Sequence, residues 1–202
     1  MKKKVLFAIV LIGIVCVCSL IVIKSIFFKY PDTLTAGEDP ELTLPLTSFA
    51  NNTYIGGYGT VPLGWHNGID FGVNGSTVIV APHNAYIDFI ECWYNDGGGH
   101  WQTNVRLWLN YQWNLEIVFE SWALNESYGQ LQRDAIIVNT GQFVSANQPL
   151  GTLLCHGEGA HIHFQVSSNN VQCCPYTYFS ASAKAAFAAQ FYLVNYTPYW
   201  CG

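Results

Sequence analysis

The stretch Gly159-Ala-His-Ile-His-Phe-Gln-Val166 alternates polar and apolar side chains with a period of two. That period predicts a half-buried β-strand, in which residues two apart point to the same face. His161 and His163 then share one face, and Ile162, Phe164 and Val166 the other. A second stretch, Trp65-His-Asn-Gly-Ile-Asp-Phe71, carries His66 and Asp70 four residues apart, again on one face if the chain is extended. Each pair alone is an ordinary polar strand face. Brought together, three imidazoles and one carboxylate are the ligand types that Zn2+ takes in an open, catalytic site.

These residues resemble the lysostaphin/LytM-type zinc endopeptidases, which cut peptide cross-links in bacterial cell walls. That family carries His-x-Gly-x-Asp early and His-x-His-Phe late, matched here by His66-Asn-Gly68-Ile-Asp70 and His161-Ile-His163-Phe164. Between them, Val78-Ile-Val-Ala-Pro82 and Val144-Ser-Ala-Asn-Gln-Pro-Leu-Gly151 resemble the connecting strands and turn. Asn147 stands where the family usually has glycine, and Asn is the residue that next best tolerates a left-handed backbone. The resemblance runs from about Phe49 to Pro175. It implies that His66, Asp70 and His163 bind Zn2+ and that His161 is a catalytic histidine beside it. The family places a second catalytic histidine in a strand ending Tyr-x-His-Leu. Here that strand reads Leu115-Glu-Ile-Val-Phe-Glu-Ser-Trp122, with Ser121 expected at the histidine's position. His100 and His156, in loops near the motif-bearing segments, are the candidate stand-ins, although both also read as exposed loop histidines; His83 reads as structural or surface.

Half of the 202 residues are hydrophobic and only 10% are charged, against a usual figure of about 25%. Of the eight basic residues only Arg106, Arg133 and Lys184 follow residue 29, whereas all thirteen acidic residues do. Such a surface repels polyanions, which argues against nucleic acid as a partner. Val5 to Ile23 is an almost unbroken apolar run behind Lys2, Lys3 and Lys4. It is long enough for a membrane-spanning helix of about 20 residues, and the lysines favour a cytoplasmic N-terminus with the domain outside. A cleaved signal peptide has a shorter apolar core and a small-x-small site; no such site follows here, so a retained signal anchor over residues 1–29 is expected.

Residues 30–45 are acidic, carry threonine and proline, and read as a short extracellular tether. Thr77–Ala81, Ala85–Tyr94, Asn104–Asn110, Leu115–Trp122 and Gly151–Leu154 read as further strands, and Asp96-Gly-Gly-Gly99 as a turn. The expected fold over 46–178 is mainly β, an antiparallel, sandwich-like domain. A helix over Ser180–Tyr192 in a C-terminal extension, 179–202, is expected to cap the sheet. Of the cysteines outside the membrane run, Cys201 is expected to bridge to Cys173 or Cys174, and Cys92 to Cys155 if their strands are neighbours. Five tryptophans crowd into one stretch, Trp93 to Trp122; each is expected in the core, although those near Asp96–Gly99 could instead line a groove. The function expected on these grounds is a membrane-anchored, extracellular zinc metalloendopeptidase acting on cell-wall peptide. The alternative is a catalytically weakened relative that keeps its Zn2+ and binds or regulates at the wall.

Overall fold

A two-residue period runs through most of the chain, and the architecture follows from it. The computed structural model describes residues 29–61, 64–194 and 200–201, and Asp32–Gly202 form one compact unit. The expected anchor, Val5 to Ile23, lies outside the described residues; among those, no helix is long and apolar enough to cross a membrane.

The strands are β1 (Asn52–Gly56), β2 (Gly59–Val61), β3 (Gly64–His66), β4 (Ile69–Val73), β5 (Thr77–Val80), β6 (Ala85–Asn95), β7 (His100–Trp108), β8 (Trp113–Ala123), β9 (Phe143–Val144), β10 (Pro149–Leu153), β11 (His161–Ser168) and β12 (Val171–Cys173). The helices are α1 (Glu126–Asp134), α2 (Pro175–Tyr178) and α3 (Ala181–Val194). One antiparallel sheet dominates, in the order β1-β4-β11-β8-β7-β6-β9, with β12 added to β11. The expected mainly β, antiparallel fold is present, and its sandwich-like second layer is only a separate two-stranded ribbon, β10-β5. The reason is in the pattern: the long strands β6, β7 and β8 pair with one another, and only the short β5 and β10 are left to cover them. One face of the large sheet is the core, built from Phe71, Leu107, Leu115, Ile117, Phe119, Ile162 and Phe164 together with Ile79, Leu150 and Leu153 from the ribbon. The opposite face is polar, the usual division of an antiparallel sheet with one side on the core.

The expected strands are present with small shifts at their ends. Asp96–Gly99 forms the β6–β7 turn, where the Asn95 side-chain oxygen accepts from the backbone N–H of Gly97 and Gly98. Asn147 has φ +66°, the left-handed conformation expected of it, and its N–H donates to the Ala81 carbonyl. The C-terminal helix buries Ala183, Phe187 and Phe191. Its Phe187 ring meets those of Phe71, Phe179 and Tyr176 at centroid distances of 6.0, 5.7 and 5.4 Å.

Three features differ from expectation. In the stretch read as a tether, Leu42 is fully buried, its N–H donates to the Tyr178 carbonyl, and Thr33 and Thr43 bond to the backbone of Leu109 and Pro82. Leu42-Thr-Leu44-Pro-Leu46 alternates over too few residues, among acidic and proline neighbours, to stand out, yet Leu42 and Leu46 join the core. Helix α1 was not among the expected elements, and its residues are mostly polar. It is fixed by Asn125, whose side chain caps the Tyr128 N–H, and by the buried Gln132, bonded to both Thr152 and Leu154. Cys92 and Cys155 do not pair; the one bridge among the described residues joins Cys174 to Cys201, leaving Cys173 free.

That bridge closes a loop with a sequence separation of 27, for which the chain-entropy model gives about 3–4 kcal/mol. Replacing Cys201 with Ser should lower the unfolding free energy by about that amount in urea titrations. Non-reducing peptide mapping should recover Cys174 linked to Cys201 and Cys173 as a free thiol.

Candidate active site

The polar face of the sheet carries the candidate residues in two rows across the strands. The pairing Gly56–Asp70–His163–Val118–Asn104 forms one row. The pairing Gly72–His161–Glu120 forms the next, with Tyr54 opposite Gly72 at its outer end. His66 arrives by a different route. It was expected to share a strand with Asp70, but it ends β3, which pairs with β2, while Asp70 lies in β4. The Asn67-Gly68 break between them turns the chain, so the hairpin delivers His66 from the side.

The three expected ligands converge. His66 Nε2 lies 3.1 Å from Asp70 Oδ2 and 3.1 Å from His163 Nδ1, and His163 Nδ1 lies 2.6 Å from Asp70 Oδ1. The remaining ring nitrogens have partners that aim the rings. His66 Nδ1–H donates to the Gly57 carbonyl at 2.6 Å, which leaves Nε2 with its lone pair toward the cluster. His163 Nε2 lies 3.0 Å from Asn67 Oδ1, which accepts from it when Nδ1 is the ligating nitrogen. The group His66, Asp70 and His163 has metal-ligand spacing, and two imidazoles with one carboxylate is a donor set that fits a divalent metal. Burial would raise the Asp70 carboxyl, but the bonds from His163 and His66 outweigh it and hold it well below the usual carboxylate range.

His161 stands beside the cluster with its Nδ1–H donating to the Gly159 carbonyl at 2.7 Å. Its Nε2 lies 3.5 Å from Glu120 Oε1 and 3.8 Å from Asp70 Oδ1. Burial lowers the affinity of this imidazole for a proton; the Glu120 bond and the charges of Asp70 and Glu120 prevail, and its pKa is raised to about 9.

The residue opposite His161 is therefore Glu120, not Ser121. Ser121 is fully buried on the core side, and its hydroxyl has no hydrogen-bond partner among the described residues. The expected alignment was one residue out of phase, and in a strand one residue is a change of face. The two stand-in histidines also part company. His100, read as a loop residue, begins β7 and is buried in the cleft, with Nε2 2.7 Å from Glu120 Oε2. His156 stacks on Tyr128 at 4.5 Å, away from the residues that line the cleft.

Sequence reading missed three contributors. Glu120 is one. Trp122, another, lies in a bulge of β8 with φ +61°; its ring lies 4.5 Å from that of His100 and 6.3 Å from that of His161, and Gly157 and Gly159 leave room for it. The third is a ladder of amides. Asn95 donates to Gln102, Gln102 to Asn104, and Asn104 to Glu116, which also accepts from Arg106. Together these residues and the metal group line one cleft of about 590 Å³, within the range of small-molecule and peptide sites. Of the tryptophans, Trp93 and Trp122 line it, whereas Trp113 is buried in the core.

Solved structures similar to this chain include proteins described as peptidases. The structure of Csd3 from Helicobacter pylori is similar at a TM-score of 0.51 and 19% identity, over 77% of this chain and 42% of that one. A zinc-containing peptidase from Vibrio cholerae matches at 0.47 and 15%, over 67% of this chain and 39% of that one. The catalytic domain of lysostaphin from Staphylococcus simulans matches at 0.41 and 25%, over 59% of this chain and 83% of that one. The chain thus spans less than half the length of the first two, and the likeness to Csd3 supports the fold alone. No protein-family model and no curated protein matches the sequence.

A Cβ at Gly68 would stand 2.6 Å from His163 Nε2 and 2.7 Å from the Phe164 carbonyl. Gly68→Ala should therefore displace the His163 ring and weaken metal affinity by at least the roughly 10–100-fold seen on loss of an outer-shell partner. Elemental analysis after dialysis should find one metal ion per chain in the wild type and none in His163→Ala. Far-UV circular dichroism should be unchanged in both variants.

Proposed function

We propose that the chain is an exported, zinc-dependent peptidase that hydrolyses peptide bonds in cell-wall cross-links, held at the membrane by the apolar run Val5 to Ile23. The observation that carries this reading is the convergence of His66, Asp70 and His163 in a cleft that also holds His161. Bound there, Zn2+ would supply a Lewis acid for the scissile carbonyl and lower the pKa of a water to about 7.

The rest falls to the chain's own side chains. With Nδ1–H held by the Gly159 carbonyl, His161 turns Nε2 into the cleft, where the imidazolium favoured by Glu120 and Asp70 can give a proton to the departing amine. The amide ladder offers paired donors and acceptors along the cleft, suited to the backbone of an extended peptide. The acidic domain gives no attraction to anionic wall polymers, so recognition rests on shape, amides and Trp93.

One observation favours the second reading, a zinc-holding wall-binding module. Glu120 puts a carboxylate where the resemblance expects a histidine, and a carboxylate repels the oxyanion of a tetrahedral intermediate. Hydrolysis separates the two readings. The zinc-loaded protein should release new amino termini from purified cell wall, and His161→Ala should lose that activity while keeping its metal. Metal-loaded protein that binds wall but releases nothing favours the module. Ser121→His should give no gain in either case, because it overpacks the core and should cost about 1–3 kcal/mol of stability, read from denaturant titration.

A further inference from the structure

Glu120 does not stand alone in the cleft. Its Oε1 lies 3.5 Å from His161 Nε2, and its Oε2 lies 2.7 Å from His100 Nε2. His100 Nδ1 in turn lies 3.0 Å from the Gly98 carbonyl oxygen. A carbonyl and an ionised carboxylate only accept hydrogen bonds. A neutral imidazole has one N–H and could satisfy one of them, leaving the other as a lone pair facing an oxygen. Both contacts are hydrogen bonds only if the ring carries both protons.

The surroundings hold the ring in that geometry. His100 is 2% exposed and stacks on Trp122 at 4.5 Å and 25°, an arrangement that favours a cation. Gly98 makes the approach possible, since a Cβ there would lie 2.5 Å from His100 Cε1. Trp122 keeps its place at φ +61°, a left-handed conformation that a bulky residue rarely adopts. Charged groups face His100 from two other strands, Glu120 from β8 and His161 from β11. Burial and the His161 charge disfavour protonation of His100, while the Glu120 bond, the Gly98 bond and the Glu120 charge favour it and prevail.

We propose that doubly protonated His100 and ionised Glu120 form one charge-neutral positioning pair that orients His161, in the place where the resemblance expects a single second histidine. The role in catalysis rests on the peptidase reading; the pairing itself does not. A lone carboxylate would set a second negative charge beside Asp70, and the imidazolium cancels it. Both N–H groups of His100 are engaged, so it has none left for a substrate. It is a positioning residue, and Glu120 is the link through which it acts on His161.

The test uses the full-length protein labelled with 15N-histidine, with the His100 signals assigned by their loss in His100→Gln. At pH 8, both nitrogens of His100 should be protonated, with two slowly exchanging N–H protons, in metal-free and zinc-loaded protein alike. Glu120→Gln should return the ring to a neutral form with one N–H. In wall hydrolysis the same variant should lower kcat by about 10–100-fold, the usual effect of losing an outer-shell partner, with KM little changed. A neutral His100 at pH 8 in the wild type would overturn the proposal whatever the activity. A kcat unaltered in Glu120→Gln would overturn the positioning role. A protein that cleaves no wall preparation but shows the imidazolium, and loses it in Glu120→Gln, upholds the pairing and removes the peptidase reading instead.

Discussion

A side chain in an antiparallel strand has two directions open to it, and in β11 one of them is wholly committed to the core. Ile162, Phe164 and Val166 are fully buried. Removing each such side chain from water stabilises the fold by about 1.5–3 kcal/mol. A slip of one residue would expose all three and press two imidazoles into the core, a cost of several kcal/mol. The register of β11 is therefore held by hydrophobic burial, and the polar face inherits it. His163 must lie opposite Asp70, and His161 opposite both Gly72 and Glu120. Gly72, lacking a side chain, leaves the space beside His161 to the ring of Tyr54. The metal-ligand group is thus a by-product of core packing on the other side of the same strand.

This is also why half of the site was legible in the sequence. Wherever polar and apolar residues alternated cleanly, as in β11, the face of each residue could be assigned without a structure. In β8 they do not. Ile117-Val118-Phe119 is apolar on both faces, so the phase of the strand is lost at the point where it matters, and Ser121 and Glu120 become interchangeable. The charged residues Glu116 and Glu120, four apart, held the missing phase. The approach of His66 to Asp70 was anticipated from a shared strand and is reached through a hairpin instead; the Gly68 close to His163 was the sign that the chain turns there. Helix α1 and the segment around Leu42 escaped for different reasons. The helix is mostly polar, with Leu131 its one aliphatic residue, and the leucines at 42, 44 and 46 have partners that lie far away in sequence.

The cleft is assembled from a strongly acidic domain, yet each of its carboxylates has a basic or imidazole partner. Asp70 has His66 and His163, Glu116 has Arg106, and Glu120 has His100 and His161. In a partly dry cleft an unpaired carboxylate is costly, and each partner removed would leave one behind. Four of these five partners are histidines, side chains that can also serve as metal ligands or exchange protons near neutral pH. Neutralising the cleft with lysine or arginine would have closed it to either role.

The end of the chain bears on the site through a sequence of backbone contacts. The Trp200 carbonyl accepts from the Tyr58 N–H, Cys201 bridges alongside Tyr58, and the neighbouring Gly57 carbonyl is the one that orients His66. The disulfide to Cys174 fastens this segment. Synthesis runs from the N-terminus, so the strut beneath His66 is made well after His66 itself, and the thiols that lock it must be oxidised after that. The bracing of His66 is thereby tied to the redox state of the surroundings, since a reduced Cys174–Cys201 pair would leave this segment unfastened.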